Sequence, residues 1–174
     1  MQRKFITKGL LLASMLLMLQ PSLAETVTGE NEQQVDRSLS LPVAKDLAEL
    51  GKESRRTGVP ILLMFSSASC DYCQRLEEDV LRPLRLSGMD PKQVLVRKIM
   101  LDEYETLRLF SGKKQDADRY ALSVHGVSVV PTVALVDGHG KDLVPKIVGY
   151  NTPGLYENYL DEAIKVSNLL LKQR

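Results

Sequence analysis

Three short apolar runs, with helical patterns between them, most constrain how this chain can fold. They cover residues 61–65, 94–101 and 132–136, and a proline lies close before each. Apolar runs of this length are typical of strands that are buried on both faces of a sheet. Residues 146–149 predict a fourth strand, which the Asp-Gly-His-Gly turn at 137–140 joins to the third as a hairpin.

Helical patterns precede and follow the first of these strands. A helix is predicted to begin at Pro42, with Ser40 as its cap, and to end before Gly58. A second helix is predicted from Asp71, with the acidic residues at 77–79 largely on its polar face. Residues 103–115 fit either a short strand or an inserted loop.

Two more helices complete the predicted order. Asp116 is expected to cap a short helix, and Thr152 the last helix, which has Pro153 at its first position. The last helix carries an apolar stripe at residues 155, 159, 163, 166 and 170. The order α-β-α-β-α-β-β-α predicts an α/β domain, in which a central mixed sheet has helices on both faces.

The N-terminus has the pattern of a secretory signal peptide. Arg3, Lys4 and Lys8 precede an apolar stretch at residues 10–19, and small residues end at Ala24. An apolar stretch of about ten residues matches a signal peptide better than a membrane span, which needs about 20. We therefore predict a signal peptide at 1–24, a flexible polar leader at 25–41 and one domain at 42–174. An uncleaved anchor is the alternative.

Net charge excludes one class of partner. The chain has a net charge of +1 and no basic run, so nucleic acid is not an expected partner. Export, in turn, places its only two cysteines, Cys70 and Cys73, in an oxidising compartment. No cofactor is expected.

Three readings of the cysteine pair follow from its spacing. A zinc site needs further ligands, and His125 and His139 lie at spacings unlike those of zinc sites, so no metal is expected. A structural disulfide closing so short a loop removes little chain entropy. A redox pair has a mechanism, since Cys70 at a helix N-terminus is favoured as the thiolate nucleophile and Cys73, one turn on, resolves the mixed disulfide.

A second motif lies about sixty residues later, where Val130-Pro131-Thr132 begins the third strand. Together with Cys-Asp-Tyr-Cys, the strand before it, and the Asp-Gly-His-Gly hairpin, this motif resembles the thioredoxin superfamily, and in particular periplasmic thioredoxin-like proteins of the SoxW group. The resemblance implies a thioredoxin fold with an extra N-terminal helix. It also implies a cis peptide bond before Pro131, and substrate contacts at Val130, Asp71 and Tyr72.

The chain departs from the thioredoxin pattern at two kinds of position. It contains no tryptophan, and Met64 stands where thioredoxins bury an acid six residues before the first cysteine. The proton of the resolving cysteine must then be taken by water or by another charged group, for which Glu77 and Lys98 are candidates.

These features predict an exported thiol–disulfide oxidoreductase that reduces disulfides of periplasmic proteins and acts as a monomer. The resemblance implies that a membrane thiol carrier supplies its electrons. A disulfide oxidase or isomerase is one alternative, and a catalytically silent accessory module of the same fold is another. Asp71 next to Cys70 opposes a second negative charge, which favours the reducing direction.

Overall fold

The computed structural model describes residues 40–102 and 106–173. The predicted signal peptide and all but the last residues of the predicted leader lie outside these ranges. Within them, no helix is long and apolar enough to cross a bilayer.

The central sheet contains the four predicted strands. Strands β1 (Ile61–Ser66) and β2 (Leu95–Met100) are parallel, and a separate hairpin of β3 (Thr106–Arg108) and β4 (Lys114–Asp116) follows them. Strands β5 (Thr132–Val136) and β6 (Ile147–Val148) then run antiparallel, β5 beside β1 and β6 beside β5. The sheet order is β2-β1-β5-β6, so the mixed sheet is confirmed.

Helices cover both faces of this sheet. They are α1 (Leu47–Thr57), α2 (Asp71–Leu76), α3 (Arg82–Leu86), α4 (Met89–Lys92), α5 (Ala117–His125) and α6 (Pro153–Lys172), and a π-helical turn, Glu77–Leu81, joins α2 to α3. One buried cluster packs α2, α3 and α6 against one face, which we call the cysteine face because Cys73 lies in it. A second cluster packs α1 and α5 against the other face, called here the histidine face after His125 at the end of α5.

The prediction of a helix from Pro42 is wrong. Residues 42–44 run along the outer edge of β2 instead, where the Ala44 N–H donates to the Lys98 carbonyl (2.7 Å) and the Lys98 N–H to the Pro42 carbonyl (2.9 Å). These bonds satisfy backbone groups that the sheet edge otherwise leaves open. The extra N-terminal helix exists as α1, and Asp46 rather than Ser40 caps it, by accepting from the Glu49 N–H (3.0 Å).

The predicted stripe on the last helix is displaced by one residue. Leu155 and Tyr159 are 50% and 58% exposed, whereas Tyr156, Leu160 and Ile164 pack in the cluster of the cysteine face. Both sets recur at helical spacing, and packing selects the second set because it faces β5 and the π-helical turn Glu77–Leu81. Thr152 and Asp116 occupy the predicted cap positions, but neither side chain makes a capping hydrogen bond.

The segment that the sequence left ambiguous is the β3–β4 hairpin, apart from residues 103–105, which lie outside the described residues. An ion pair between Arg108 and Asp46 (2.9 Å) connects the hairpin to the start of α1. The Glu49 N–H and the Arg108 guanidinium both lower the pKa of the Asp46 carboxyl, and the Glu49 N–H is the larger cause.

Candidate active site

The two cysteines form a disulfide at the start of α2, with their Cα atoms 5.2 Å apart. Cys70 is the N-cap of this helix, in extended conformation, and its sulfur accepts a hydrogen bond from the Cys73 N–H (3.1 Å). A side-chain acceptor for a free N–H is what starts a helix at this point. The Cys70 sulfur therefore lies where the partial positive charge of the helix N-terminus favours an anion.

The two sulfurs differ in access. Cys73 is 2% exposed and lies in the buried cluster, whereas Cys70 is only partly buried at its edge. Asp71 and Tyr72, which lie between the two cysteines in the sequence, are exposed, and Tyr72 is 54% exposed. The predicted order of attack needs an accessible first cysteine and a shielded second one, and this is the arrangement found. The catalytic roles themselves stay predictions.

The second motif lies at the same end of the sheet as the cysteines. The peptide bond between Val130 and Pro131 is cis, as predicted. Phe65 pairs with Thr132 across β1 and β5, so Pro131 lies beside the end of β1, from which the chain leads directly to Cys70. The Gly149 N–H at the end of β6 donates to the Pro131 carbonyl (2.8 Å) and fixes this loop from its other side. Val130 is half-buried, between the two core clusters.

A turn connects β1 to the helix. The Cys70 N–H donates to the Ser67 carbonyl (3.3 Å), which closes the turn at residues 67–70. The Asp102 carboxylate, just after β2, accepts from the Ala68 N–H (2.8 Å) and from the Ser67 hydroxyl (2.9 Å). These bonds lower the pKa of the Asp102 carboxyl, with the Ala68 N–H as the main cause.

A buried ion pair lies one helical turn beyond Cys73. The Glu77 carboxylate accepts from the Lys98 ammonium (2.7 Å) with one oxygen and from the Leu41 N–H (2.8 Å) with the other. Met64, the neighbour of Lys98 on β1, is fully buried in the cluster that contains Cys73. The expectation that Glu77 faces solvent is thus wrong, because Lys98 and Leu41 supply partners inside the fold. A buried acid is present on the cysteine face, but it comes from the residue one turn beyond Cys73 instead of the strand.

A second contact fixes the cysteine helix from outside. The Tyr150 hydroxyl, just after β6, donates to Asp79 (3.1 Å), and the Arg75 guanidinium lies 6.0 Å from the centre of the Tyr150 ring. Burial is the main cause that raises the pKa of the Tyr150 hydroxyl, and Asp79 adds to it. The helix is therefore held to the chain that leaves β6, at the side facing the Pro131 loop.

The two histidines do not approach the cysteines. His125 is buried at the end of α5, where its ring nitrogens contact the Asp142 carboxylate (2.8 Å) and the Tyr120 hydroxyl (2.9 Å). His139 lies in the β5–β6 turn, and its N–H donates to Asp137 (2.9 Å). Among the described residues, no three His, Cys, Asp or Glu side chains are grouped as metal ligands would be.

Comparison with known proteins agrees with this geometry. A model of the thioredoxin-like domain family matches residues 47–164, which include both cysteines and Pro131. The chain belongs to the thioredoxin-like family. With the family's cysteine pair present as a disulfide, this thioredoxin-like protein is a thiol–disulfide oxidoreductase. No curated protein sequence matches it.

Several solved structures are similar to this chain at low identity. Mitochondrial thioredoxin 3 of Saccharomyces cerevisiae is 20% identical, with 70% of this chain and 94% of that chain covered and a TM-score of 0.48. Fasciola hepatica thioredoxin is 22% identical, over 72% and 97% of the two chains, with a TM-score of 0.47. The periplasmic thioredoxin SoxS of Paracoccus pantotrophus is 18% identical, over 62% and 98%, with a TM-score of 0.43.

Sequence reasoning missed two residues of this site. Asp102 lies just beyond the predicted strand at 94–101, and nothing local marks it, since its partner Ala68 is 34 residues away. Val129 is 55% exposed just before the Pro131 loop, where it presents apolar surface to solvent. An apolar residue beside the predicted cis-proline is a signal that the sequence did contain.

Proposed function

We propose that this thioredoxin-like protein is an exported reductase that reduces disulfides of periplasmic client proteins through Cys70 and Cys73. One observation carries the proposal: a partly exposed sulfur caps a helix, its partner sulfur is buried one turn on, and the Pro131 loop lies at the same end of the sheet. Apolar Tyr72 and Val129 offer a surface to an unfolded or extended client.

The reaction is an exchange of two disulfides. In the reduced protein, the Cys70 thiolate attacks one sulfur of the client disulfide; a Cys70–client disulfide forms, and the other client sulfur leaves as a thiolate. Cys73 then loses its proton and attacks the Cys70 sulfur, which releases the second client thiolate. The client gains two electrons and the protein ends as the Cys70–Cys73 disulfide, the form described above.

The second step needs a group that takes the Cys73 proton. We assign this role to Glu77, which lies one turn along the same helix and is buried with Lys98 on the cysteine face. A carboxylate in this position replaces the acid that Met64 excludes. Glu77→Gln should then leave long-lived Cys70–client disulfides, as is also expected of Cys73→Ser.

A relocated acid tests this role. Met64 faces Lys98 across β1 and β2, so Met64→Asp places a carboxylate beside the same ammonium. The double variant Glu77→Gln with Met64→Asp should release the mixed disulfide faster than Glu77→Gln alone. If the two variants release it at the same rate, a buried acid beside Lys98 does not take the proton.

The charges near Cys70 support the reducing direction. Asp71 and Asp102 oppose a thiolate at Cys70, and a less stabilised thiolate makes a more reducing couple. We expect a potential nearer that of thioredoxin, about −270 mV, than that of the strong periplasmic oxidant, about −120 mV. Such a couple needs electrons from a membrane thiol carrier to stay reduced in an oxidising compartment.

The decisive experiment measures both activity and potential. Reduction of insulin should be abolished by Cys70→Ser, and purification of Cys73→Ala from a periplasmic extract should retain clients bound to Cys70. Equilibration with glutathione buffers gives the potential, read from mass shifts after thiol capping because the chain has no tryptophan. A value near −120 mV, that is about that of the strong oxidant, assigns the protein to disulfide formation instead. Failure to reduce insulin rejects the reductase function. Light scattering should give a monomer.

A further inference from the structure

The turn before Cys70 is held by a residue that belongs to neither recognised motif. The backbone pairing of β1 and β2 ends with the Leu101 N–H, which donates to the Ser66 carbonyl (2.9 Å). Beyond that point the Asp102 side chain continues the connection, through its bonds to Ala68 and Ser67. The Asp102 carboxylate thus supplies the acceptor where the backbone pairing of β1 and β2 has ended.

These bonds act on the position of Cys70. The Ala68 N–H and the Ser67 hydroxyl both point at the same Asp102 oxygen, which fixes the peptide between them. The Ser67 carbonyl on that peptide accepts from the Cys70 N–H. Cys70 is therefore held in the extended conformation that lets its sulfur cap the helix.

The charge of Asp102 also lies near the reacting sulfur. Its carboxyl has a lowered pKa and is ionised at neutral pH. Ala68 is two residues before Cys70, so the carboxylate lies within about 10 Å of Cys70. At that distance a unit charge in water raises the pH at which a thiol ionises by about 0.3 units, which is about a twofold change in thiolate.

We propose that Asp102 is a positioning residue of the dithiol site. It holds the turn at 67–70 so that Cys70 presents its sulfur at the helix start, and its charge lowers the fraction of Cys70 that is thiolate at neutral pH. The proposal rests on the reductase function proposed above. It adds the chain segment just after β2 to that site.

Two variants separate position from charge. Asp102→Asn keeps an acceptor oxygen for Ala68 and Ser67 but removes the charge, whereas Asp102→Ala removes both. Asp161→Asn, on the exposed side of α6, is the control for loss of one negative charge. Each protein is reduced, and the rate of Cys70 alkylation is measured from pH 5 to 9 by mass spectrometry, beside insulin reduction.

The midpoint of the alkylation profile should fall by about 0.3 pH units in Asp102→Asn, which removes only the charge, and not in the control. Insulin reduction should stay within about twofold of wild type in Asp102→Asn and fall about fivefold or more in Asp102→Ala, since a displaced nucleophile reacts slowly. Equal activity of the two variants, or an unchanged midpoint, overturns the proposal. If wild type reduces no insulin, the reductase function fails while the alkylation profile still tests Asp102.

Discussion

The two faces of the sheet bury titratable groups of different kinds. On the cysteine face, Glu77 and Lys98 are both charged, and their side chains keep 10% and 17% of their surface exposed. On the histidine face, the His125 side chain is 1% exposed, and both ring nitrogens have partners, Tyr120 and Asp142. The carboxylate and the ammonium form an ion pair, whereas the imidazole is hydrogen-bonded at both ring nitrogens.

The pKa shifts on the histidine face point the same way. Burial lowers the pKa of His125, against the opposing effect of Asp142, and burial followed by Asp142 raises the pKa of Tyr120. Both shifts move the pKa values away from pH 7, so His125 and Tyr120 are uncharged at that pH. The comparison teaches that the fold keeps an ion pair on one face and an uncharged hydrogen-bonded network on the other.

The largest effect is expected from a substitution that breaks the ion pair of the cysteine face. Glu77→Gln leaves Lys98 buried without a charged partner, and the free energy of unfolding should fall by about 3 kcal/mol. Denaturation by guanidinium, followed by circular dichroism, measures this loss. Glu77→Gln with Lys98→Met should recover most of the stability but not the rate of mixed-disulfide release. Recovery of both would make the pair purely structural.

A smaller effect is expected on the histidine face. Tyr120→Phe removes the hydroxyl that bonds the buried His125 Nε2, and should cost about 1–2 kcal/mol. Insulin reduction at a temperature where the variant is folded should match that of wild type. A Tyr120→Phe enzyme that is folded but slow would show that the histidine face does contribute to the reaction.

The pH dependence of stability sharpens the comparison further. Because the pKa of His125 is lower in the folded protein than its ordinary value of 6.5, the unfolded chain binds the proton first as the pH falls. The contribution of neutral His125 is complete above pH 6.5 and is lost as the pH falls below it, with a slope of at most about 1.4 kcal/mol per pH unit. Unfolding measured between pH 7.5 and 5 should show this loss in His139→Asn and not in His125→Asn. The same slope in both variants would contradict the assignment.

The smallest effect is expected at an exposed ion pair. Lys52 and Glu49 lie 2.6 Å apart on α1, with more than half of each side chain exposed. Lys52→Gln should change the free energy of unfolding by less than about 0.5 kcal/mol, because solvent screens the pair. A loss as large as that of Glu77→Gln would mean that burial does not distinguish the two pairs.

The strands were predictable because their signal is local. Residues 61–65 and 132–136 are buried on both faces of the sheet and are nearly all apolar. Glycine, proline or aspartate marks the turns beside these strands. The cysteine pair and Pro131 were predictable for the same reason, since each motif is contained in a few residues. Their meeting at one end of the sheet followed from the order of the strands.

What the sequence did not show depends on contacts between distant residues. Residues 42–44 carry a helical pattern, yet they pair with an edge that forms only once β2 is in place. Glu77 looks like a solvent-facing acid until Lys98 reaches it from 21 residues away. On α6, two apolar stripes compete, and only packing against β5 selects between them.

The bond between Leu41 and Glu77 sets a limit on how far the N-terminus can be trimmed. Leu41 is 2% exposed, in the same cluster as Cys73, and its N–H donates to one oxygen of the Glu77 carboxylate. A protein shortened to begin at Ser40 keeps this donor and the strand pairing of 42–44, whereas one that begins after Val43 loses both. Proteolysis inside this short stretch, far along the chain from either cysteine, would therefore alter the carboxylate beneath them.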